Sequence, residues 1–304
     1  MEPRKTEILN RLAVNIEIDL FRLKTLVKQG LSEDVGTGDL TVDALLEDKI
    51  TAKARIIAKA PGIIAGVGLA VLTFTELDPN IKISKIIEDG EQIKKGDEIL
   101  VLTGDAGSLL SAERTALNFL GHLSGIATQA HRFASAVKDL PVKLYDTRKT
   151  TPGLRLLEKY AVHIGGMNNH RFGLYHQVLI KENHLRATQL TLFQAVQKAV
   201  EEYKGDIVIG AEAENLDELE QAMQAGAHYV LLDEFSIQQL ERAVQMRDEY
   251  TKTNDRKVEL EASGGVNLEN VRKIASTGVD RISIGAVTHS AKNLDLTCLF
   301  DFKT

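Results

Sequence analysis

The chain has 304 residues, 43% of them hydrophobic and 26% charged, with a formal net charge of −6. That charge argues against a general nucleic-acid binder, and the lone cysteine, Cys298, excludes an intrachain disulfide and makes a cysteine-based zinc site untenable. No apolar run approaches the roughly 20 residues of a membrane-spanning helix, and MEPRKTEILN lacks a signal-peptide apolar core. A cytoplasmic protein with no nucleic-acid or membrane partner is expected.

The first stretch is mixed in character. Residues 17–31 have helical periodicity, with Ile18, Phe21, Leu26 and Val27 on the apolar face. TAKARIIAK (51–59), residues 81–88 and EILVL (98–102) read as strands, separated by turns at Pro61-Gly62, Asp89-Gly90 and Lys95-Gly96-Asp97. EDGEQIKKGDEILVLTG has the cadence of a lipoyl or biotinyl carrier, but tight turns at Gly90 and Gly96 account for it. Residues 1–125 are assigned to an N-terminal α/β domain of the α+β kind, with which the tail 290–304 is free to pack.

From about residue 111 the pattern changes. A long helix is predicted over 111–138, with Ser111 and Arg114 on one face. Leu117, Phe119 and Leu120 make it too hydrophobic for a wholly exposed helix, which suits a dimer contact. Short apolar runs then alternate with amphipathic stretches: VKLYD (142–146), QVLIK (177–181), DIVIGAE (206–212), YVLLDE (229–234), VELEAS (258–263) and RISIGA (281–286). Asn215 with Glu218, and Ser236 with Gln239, fit capping boxes, and Gly226 and Gly278 read as helix stops. Strands alternating with helices imply parallel pairing. A complete barrel has eight strands, so residues 126–289 are expected to form an incomplete parallel β/α barrel.

Each apolar run ends in a residue that a core would not choose. These are Asp146 leading into Arg148-Lys149, then Lys181, Glu212, Asp233, Ser263 with Gly264-Gly265, and Gly285. In a β/α barrel such strand ends converge on the catalytic face. Residues 142–186 carry eight Lys and Arg against three acids, although Arg155, Glu158 and Lys159 have the spacing of a helix surface. Lys181 follows Val178-Leu179-Ile180, so its stem is expected to be enclosed, its ammonium aimed into the mouth and its partner a ligand. His170 and Arg171 are two neighbouring donors, and the guanidinium suits a carboxylate or phosphate.

The late glycine turns, SGG (263–265) and IGA (284–286), expose backbone amides of the kind that bind phosphate. Glu212 and Asp233 beside them suit Mg²⁺ or ribose hydroxyls, or else internal salt bridges to Lys181 or Arg148. There is no Gly-x-Gly-x-x-Gly before a helix, no Walker A pattern and no HExxH. Ser283-Ile284-Gly285 lacks the setting of a nucleophile elbow.

The motifs SAERTALNFLGHLSGIAT, DTRKTTPGLRLLEKYAVHIGG, NHRFGL, VLIKENH, GAEAENLDE, VLLDEFS, EASGGV and ISIGAVTHS occur in order along nearly the whole chain. Together they resemble quinolinate phosphoribosyltransferase, the carboxylating nicotinate-nucleotide pyrophosphorylase. The resemblance implies transfer of a phosphoribosyl group to quinolinate, a homodimer and Mg²⁺. It implies quinolinate-binding positions at Arg114, Arg148, His170, Arg171 and Lys181, with Thr147 beside them and Arg114 reaching across the dimer interface. For phosphoribosyl pyrophosphate and Mg²⁺ it implies Lys149, Glu212, Asp233, Ser263, Gly264, Gly265, Ile284, Gly285 and Ala286. Lys149, Lys181, Glu212 and Asp233 are expected to carry the catalysis. Met167 and His176 depart from the family's usual glycine and aspartate, and both are expected to border the quinolinate half. The competing readings are a sister family linked to molybdate transport and a catalytically silent binder on the same scaffold.

Overall fold

The computed structural model describes residues 20–46 and 49–302, so Ile18 lies outside the described residues. The chain forms two compact units. One takes in the described residues up to His131, Leu156–Gly166 and the described residues from Ala291 on; the other is Arg132–Arg155 with Met167–Ser290.

In the first unit, the helix Leu20–Asp34 buries Leu23, Val27 and Leu31. These lie four apart and form a straight stripe, which leaves Phe21 exposed on one flank and Leu26 half-buried on the other. The predicted face is thus corrected at both residues. Strands β1 (Thr51–Ala58), β2 (Gly62–Ile63), β3 (Lys82–Ile86), β4 (Gln92–Ile93) and β5 (Glu98–Asp105) follow. Along β1, burial alternates and puts Ala52, Ala54, Ile56 and Ala58 inside. β1 pairs antiparallel with β5, and β5 with β3. Gly90 and Gly96 both have φ of 95°, as the tight turns between these strands require. The C-terminal strand Leu296–Phe302, which the sequence reading did not predict, lies antiparallel on the other edge of β1.

The long helix, Ala106–Ala136, sends Leu109, Ala112, Ala116, Leu117 and Leu120 into the core of this unit. Leu117 and Leu120 are therefore core residues and do not supply a dimer face. A second correction concerns the helix Arg155–Ile164, where Glu158 and Lys159 are fully buried rather than on a surface. Helical spacing alone cannot say which face meets solvent. Glu158 faces His122 Nε2 at 2.9 Å.

The second unit holds six parallel strands: β6 (Lys143–Tyr145), β7 (Val178–Ile180), β8 (Ile209–Ala213), β9 (Tyr229–Asp233), β10 (Glu259–Ser263) and β11 (Arg281–Ser283). Their order is β6-β11-β10-β9-β8-β7. That is the cyclic order of a β/α barrel, opened between its first two strands. The residues after Gly166 run along the free edge of β6: Asn168 N donates to Leu144 O, and Asp146 N donates to Asn168 O. Of the predicted caps, Ser236 and Gln239 form a full box. Asn215 caps the Glu218 amide, but the Glu218 carboxylate turns to Glu214 N. Gly226 closes its helix in the left-handed region, whereas Gly278 lies two residues beyond the cap Ser276.

Candidate active site

A cavity of about 670 Å³ opens over the C-terminal ends of the six parallel strands, and the second unit alone supplies its lining. β6 leads into Thr147, Arg148 and Lys149; β7 contributes Leu179 and Lys181; β8 contributes Glu212; β9 contributes Leu231 and Asp233. β10 supplies Glu261 and Ser263 to Val266, and β11 supplies Ser283, Gly285, Ala286 and His289. Successive lining positions on a strand lie two apart because side chains alternate across it.

One end of the cavity is cationic. Arg171 is buried and donates through Nη1 to Gln177 O at 2.9 Å. Burial pushes its guanidinium below the usual range, and the neighbouring Arg148 pushes the same way. Arg148 Nε is itself buried and has no hydrogen-bond partner among the described residues. Two adjacent guanidiniums with a spare buried donor are incomplete without an anion.

Of the two partners the sequence leaves open for Lys181, a ligand or an internal carboxylate, the fold supplies the carboxylate. Lys181 Nζ is ion-paired with Glu212 Oε2. The lysine side chain is 44% exposed, so the expected enclosure is absent. The His184 ring accepts the Lys181 amide at 2.9 Å and fixes the root of the side chain. Asp233 forms no ion pair among the described residues.

The other end is built from turns. Gly264 and Gly265 have φ of 93° and 58°. A Cβ on Gly264 would lie 3.0 Å from Glu234 N, so only glycine lets the two loops pack there. Glu234 is itself left-handed, with φ of 56°, and its amide donates to Ser263 O at 3.0 Å. Thr147 Oγ1 accepts the Lys149 amide at 3.1 Å, and Thr288 Oγ1 donates to Lys149 O at 2.8 Å. The Lys149 stem lies over Gly285, where a Cβ would come within 3.1 Å of Lys149 Cδ.

The model of the quinolinate phosphoribosyl transferase C-terminal domain matches residues 126–298, and that of the N-terminal domain matches residues 39–124. The chain belongs to the quinolinate phosphoribosyltransferase family. It is 39% identical over 277 residues to a probable nicotinate-nucleotide pyrophosphorylase (carboxylating) of Bacillus subtilis, covering 91% of this chain and 93% of that one. A relative of the same description from Methanocaldococcus jannaschii is 39% identical over 279 residues, covering 91% and 96%. Among solved structures, the nicotinate-nucleotide pyrophosphorylase of Francisella tularensis superposes with a TM-score of 0.84 at 39% identity, covering 92% of this chain and 96% of that one.

In this quinolinate phosphoribosyltransferase family member, most of the expected site residues share the one cavity. Ile284 does not line it. Its side chain is buried in the core, and its amide donates to Tyr145 O at 2.8 Å. Arg114 stands exposed on the long helix of the first unit and is not part of this lining. Met167 is buried and His176 is exposed, its Nδ1 accepting Phe172 N at 3.2 Å; neither lines the cavity. His170 lines it, but not as a free donor. Its Nδ1 accepts the Arg171 amide at 2.8 Å, and its Nε2 faces Glu261 Oε1 at 3.3 Å.

A buried layer beneath the mouth was missed by the sequence reading. Glu261 lies 3.0 Å from Arg281 Nε, and the Arg281 guanidinium sits 4.2 Å from the ring centre of Tyr145 and 4.4 Å from that of Tyr229. The signal existed. Glu261 is two residues inward from Ser263, and Arg281 is four inward from Gly285, so period two carries both charges into the barrel.

Proposed function

We propose that this chain catalyses quinolinate phosphoribosyl transfer: quinolinate and phosphoribosyl pyrophosphate give nicotinate mononucleotide, pyrophosphate and CO₂, in de novo NAD synthesis. One observation carries the reading. Arg148 and Arg171, with a buried unpaired donor between strand ends, share a cavity with the glycine turns at Ser263-Gly264-Gly265 and Gly285. The first pair suits a diacid and the second a phosphoribosyl group.

In this reading Arg148, Arg171 and Lys181 hold the two carboxylates, with Thr147 shaping the turn beneath them. Lys149 and the turn amides, including that of Ala286, take the phosphates. The ring nitrogen attacks ribose C1 as the C1–O bond to pyrophosphate breaks. Lys149 offsets the negative charge that develops on the leaving group. The pyridinium then accepts the electron pair as the adjacent carboxylate leaves as CO₂, and C2 takes a proton.

Glu212 and Asp233 fit Mg²⁺ as two carboxylates on neighbouring strands, a number suited to an ion that also binds substrate phosphates. When bound, Mg²⁺ would neutralise pyrophosphate charge. Among the described residues no group of three His, Cys, Asp or Glu gathers as a metal cage. The homodimer, with Arg114 of the partner subunit reaching the acid half, and a cytoplasmic location belong to the same proposal. No described helix is long and apolar enough to cross a membrane. The test is direct: purified protein with quinolinate, phosphoribosyl pyrophosphate and Mg²⁺ should release nicotinate mononucleotide and CO₂ together, and no product with both substrates present would overturn the reading.

A further inference from the structure

The charged layer under the cavity has no role in the chemistry above, yet it is costly to bury. Glu261 is fully buried in the middle of β10. Burial alone would push its carboxyl up, but His170 and Arg281 outweigh that and hold it below the usual carboxylate range. Arg281 is clamped between two tyrosine rings, so it cannot follow a neighbour that moves away. Tyr229 needs the space that Gly210 leaves, since a Cβ there would come within 2.2 Å of the phenol ring. The layer is therefore rigid from below.

From this floor, one chain of contacts reaches the cationic end of the cavity. Nδ1 of His170 accepts the Arg171 amide, so the ring proton sits on Nε2. Nε2 lies 3.3 Å from Glu261 Oε1, with Tyr229 Oη at 3.5 Å as a more distant neighbour. The His170 backbone is held separately, its amide donating to Asp146 Oδ1 at 2.7 Å. His170 thus carries a constraint from Glu261 to the root of the Arg171 side chain.

We propose that Glu261 is a positioning residue for acid recognition: through the His170 ring it fixes where the Arg171 guanidinium enters the cavity. The proposal rests on the diacid-binding reading above. A carboxylate suits the place because its two oxygens face two buried nitrogens at ion-pair distance, His170 Nε2 at 3.3 Å and Arg281 Nε at 3.0 Å, although neither contact has the angles of a hydrogen bond. A glutamine in its place keeps the shape but offers one acceptor oxygen for the two, and leaves Arg281 with only the Glu259 carboxylate, 3.4 Å from its Nη1.

The test compares Glu261→Gln, His170→Gln and the double variant by steady-state kinetics, with Tm alongside. Glu261→Gln should lower kcat/KM for quinolinate by about tenfold or more. KM for phosphoribosyl pyrophosphate should stay within about threefold, because the glycine turns are untouched. In the His170→Gln background, adding Glu261→Gln should change kcat/KM for quinolinate by less than about threefold. Additive losses, or a KM for phosphoribosyl pyrophosphate that rises in step, would make Glu261 merely structural and overturn the proposal.

A second measurement does not depend on turnover or on a folded variant. Imidazole ¹⁵N spectra of the wild-type protein should show His170 with its proton on Nε2 and Nδ1 as an acceptor. A proton on Nδ1 would break the proposed chain at its central link. If the wild type fails to turn over quinolinate, the functional reading falls, and the same spectra still decide the tautomer on which the positioning device depends.

Discussion

Lys181 Nζ and Glu212 Oε2 form an ion pair between the ends of adjacent strands β7 and β8. The pair joins the cationic end of the cavity to its carboxylates. Its two members are unequal, the lysine side chain being 44% exposed and the glutamate 12%. Exposed pairs contribute about 0–1 kcal/mol, so the pair adds little to the fold. Lys181→Ala should lower the affinity for quinolinate at least about tenfold while shifting Tm by only about 2–4 °C. Steady-state KM and a thermal melt check this together. A collapsed melt with quinolinate affinity retained would make Lys181 a structural residue only.

Substrate choice follows from the charge of the cavity. With Lys181 paired to Glu212, Arg148 and Arg171 still present more cation than one carboxylate can match. Nicotinic acid, with one carboxylate fewer than quinolinate, leaves a buried cation unmatched at about 1–3 kcal/mol or more. Its kcat/KM should be at least about tenfold below that for quinolinate. Comparable turnover of the two acids would exclude a diacid site.

The proposed dimer can be tested by complementation. Arg114→Ala should be inactive for lack of a contact from the partner subunit, and Lys149→Ala for lack of one within the subunit. Mixed in equal amounts and allowed to exchange, half the dimers are heterodimers, each with one intact site. Activity should recover to about one quarter of wild type. Exchange demonstrated by mass spectrometry, with activity still at the variants' baseline, would place Arg114 within its own subunit or outside the reaction.

The loop pair at the glycine-turn end of the cavity stores backbone strain. Glu234 has φ of 56°, and left-handed backbone costs a non-glycine residue about 1–2 kcal/mol. Asparagine tolerates that region better, so Glu234→Asn should raise stability by about 0.5–1 kcal/mol in a denaturant titration. Gly264→Ala should do the opposite and more strongly. Its φ of 93° is retained only at a cost, and the new methyl meets Glu234 N at 3.0 Å. A loss of about 2 kcal/mol and a raised KM for phosphoribosyl pyrophosphate are expected.

One acid-range titration can be read from geometry. Arg272 donates to both oxygens of Asp139, at 2.8 and 2.7 Å. These hydrogen bonds lead the effects that hold Asp139 down to about 2. A carboxyl depressed in the fold contributes stability that is complete above its unfolded value of about 3.9. That contribution fades as pH falls from there through about 2. Carboxyl ¹³C shifts should show Asp139 titrating near the bottom of this window, and Arg272→Ala should return it to the ordinary aspartate range. Both residues are exposed, so added salt should narrow the difference.

Much of the barrel unit was legible in the sequence, because period and punctuation are local. All six parallel strands fall on the apolar runs that predict them, five of them wholly within and β8 one residue past its run at Ala213. Strand-end residues such as Lys149, Glu212, Asp233 and Ser263 could be gathered into one cavity from the barrel rule alone. What tertiary structure decided was which groups face each other. From the strand ends, Glu212 and Asp233 are each possible partners for Lys181 or Arg148, and the side-by-side packing of β7 and β8 selects Glu212 for Lys181. Glu158 and Lys159 have the spacing of a surface helix and are fully buried. His170 reads as a free donor until the fold brings Glu261 to one ring nitrogen and the Arg171 amide to the other. Periodicity reports which residues share a face. Burial, ion pairs and tautomers depend on what is packed against that face, and that is set by residues distant in the chain.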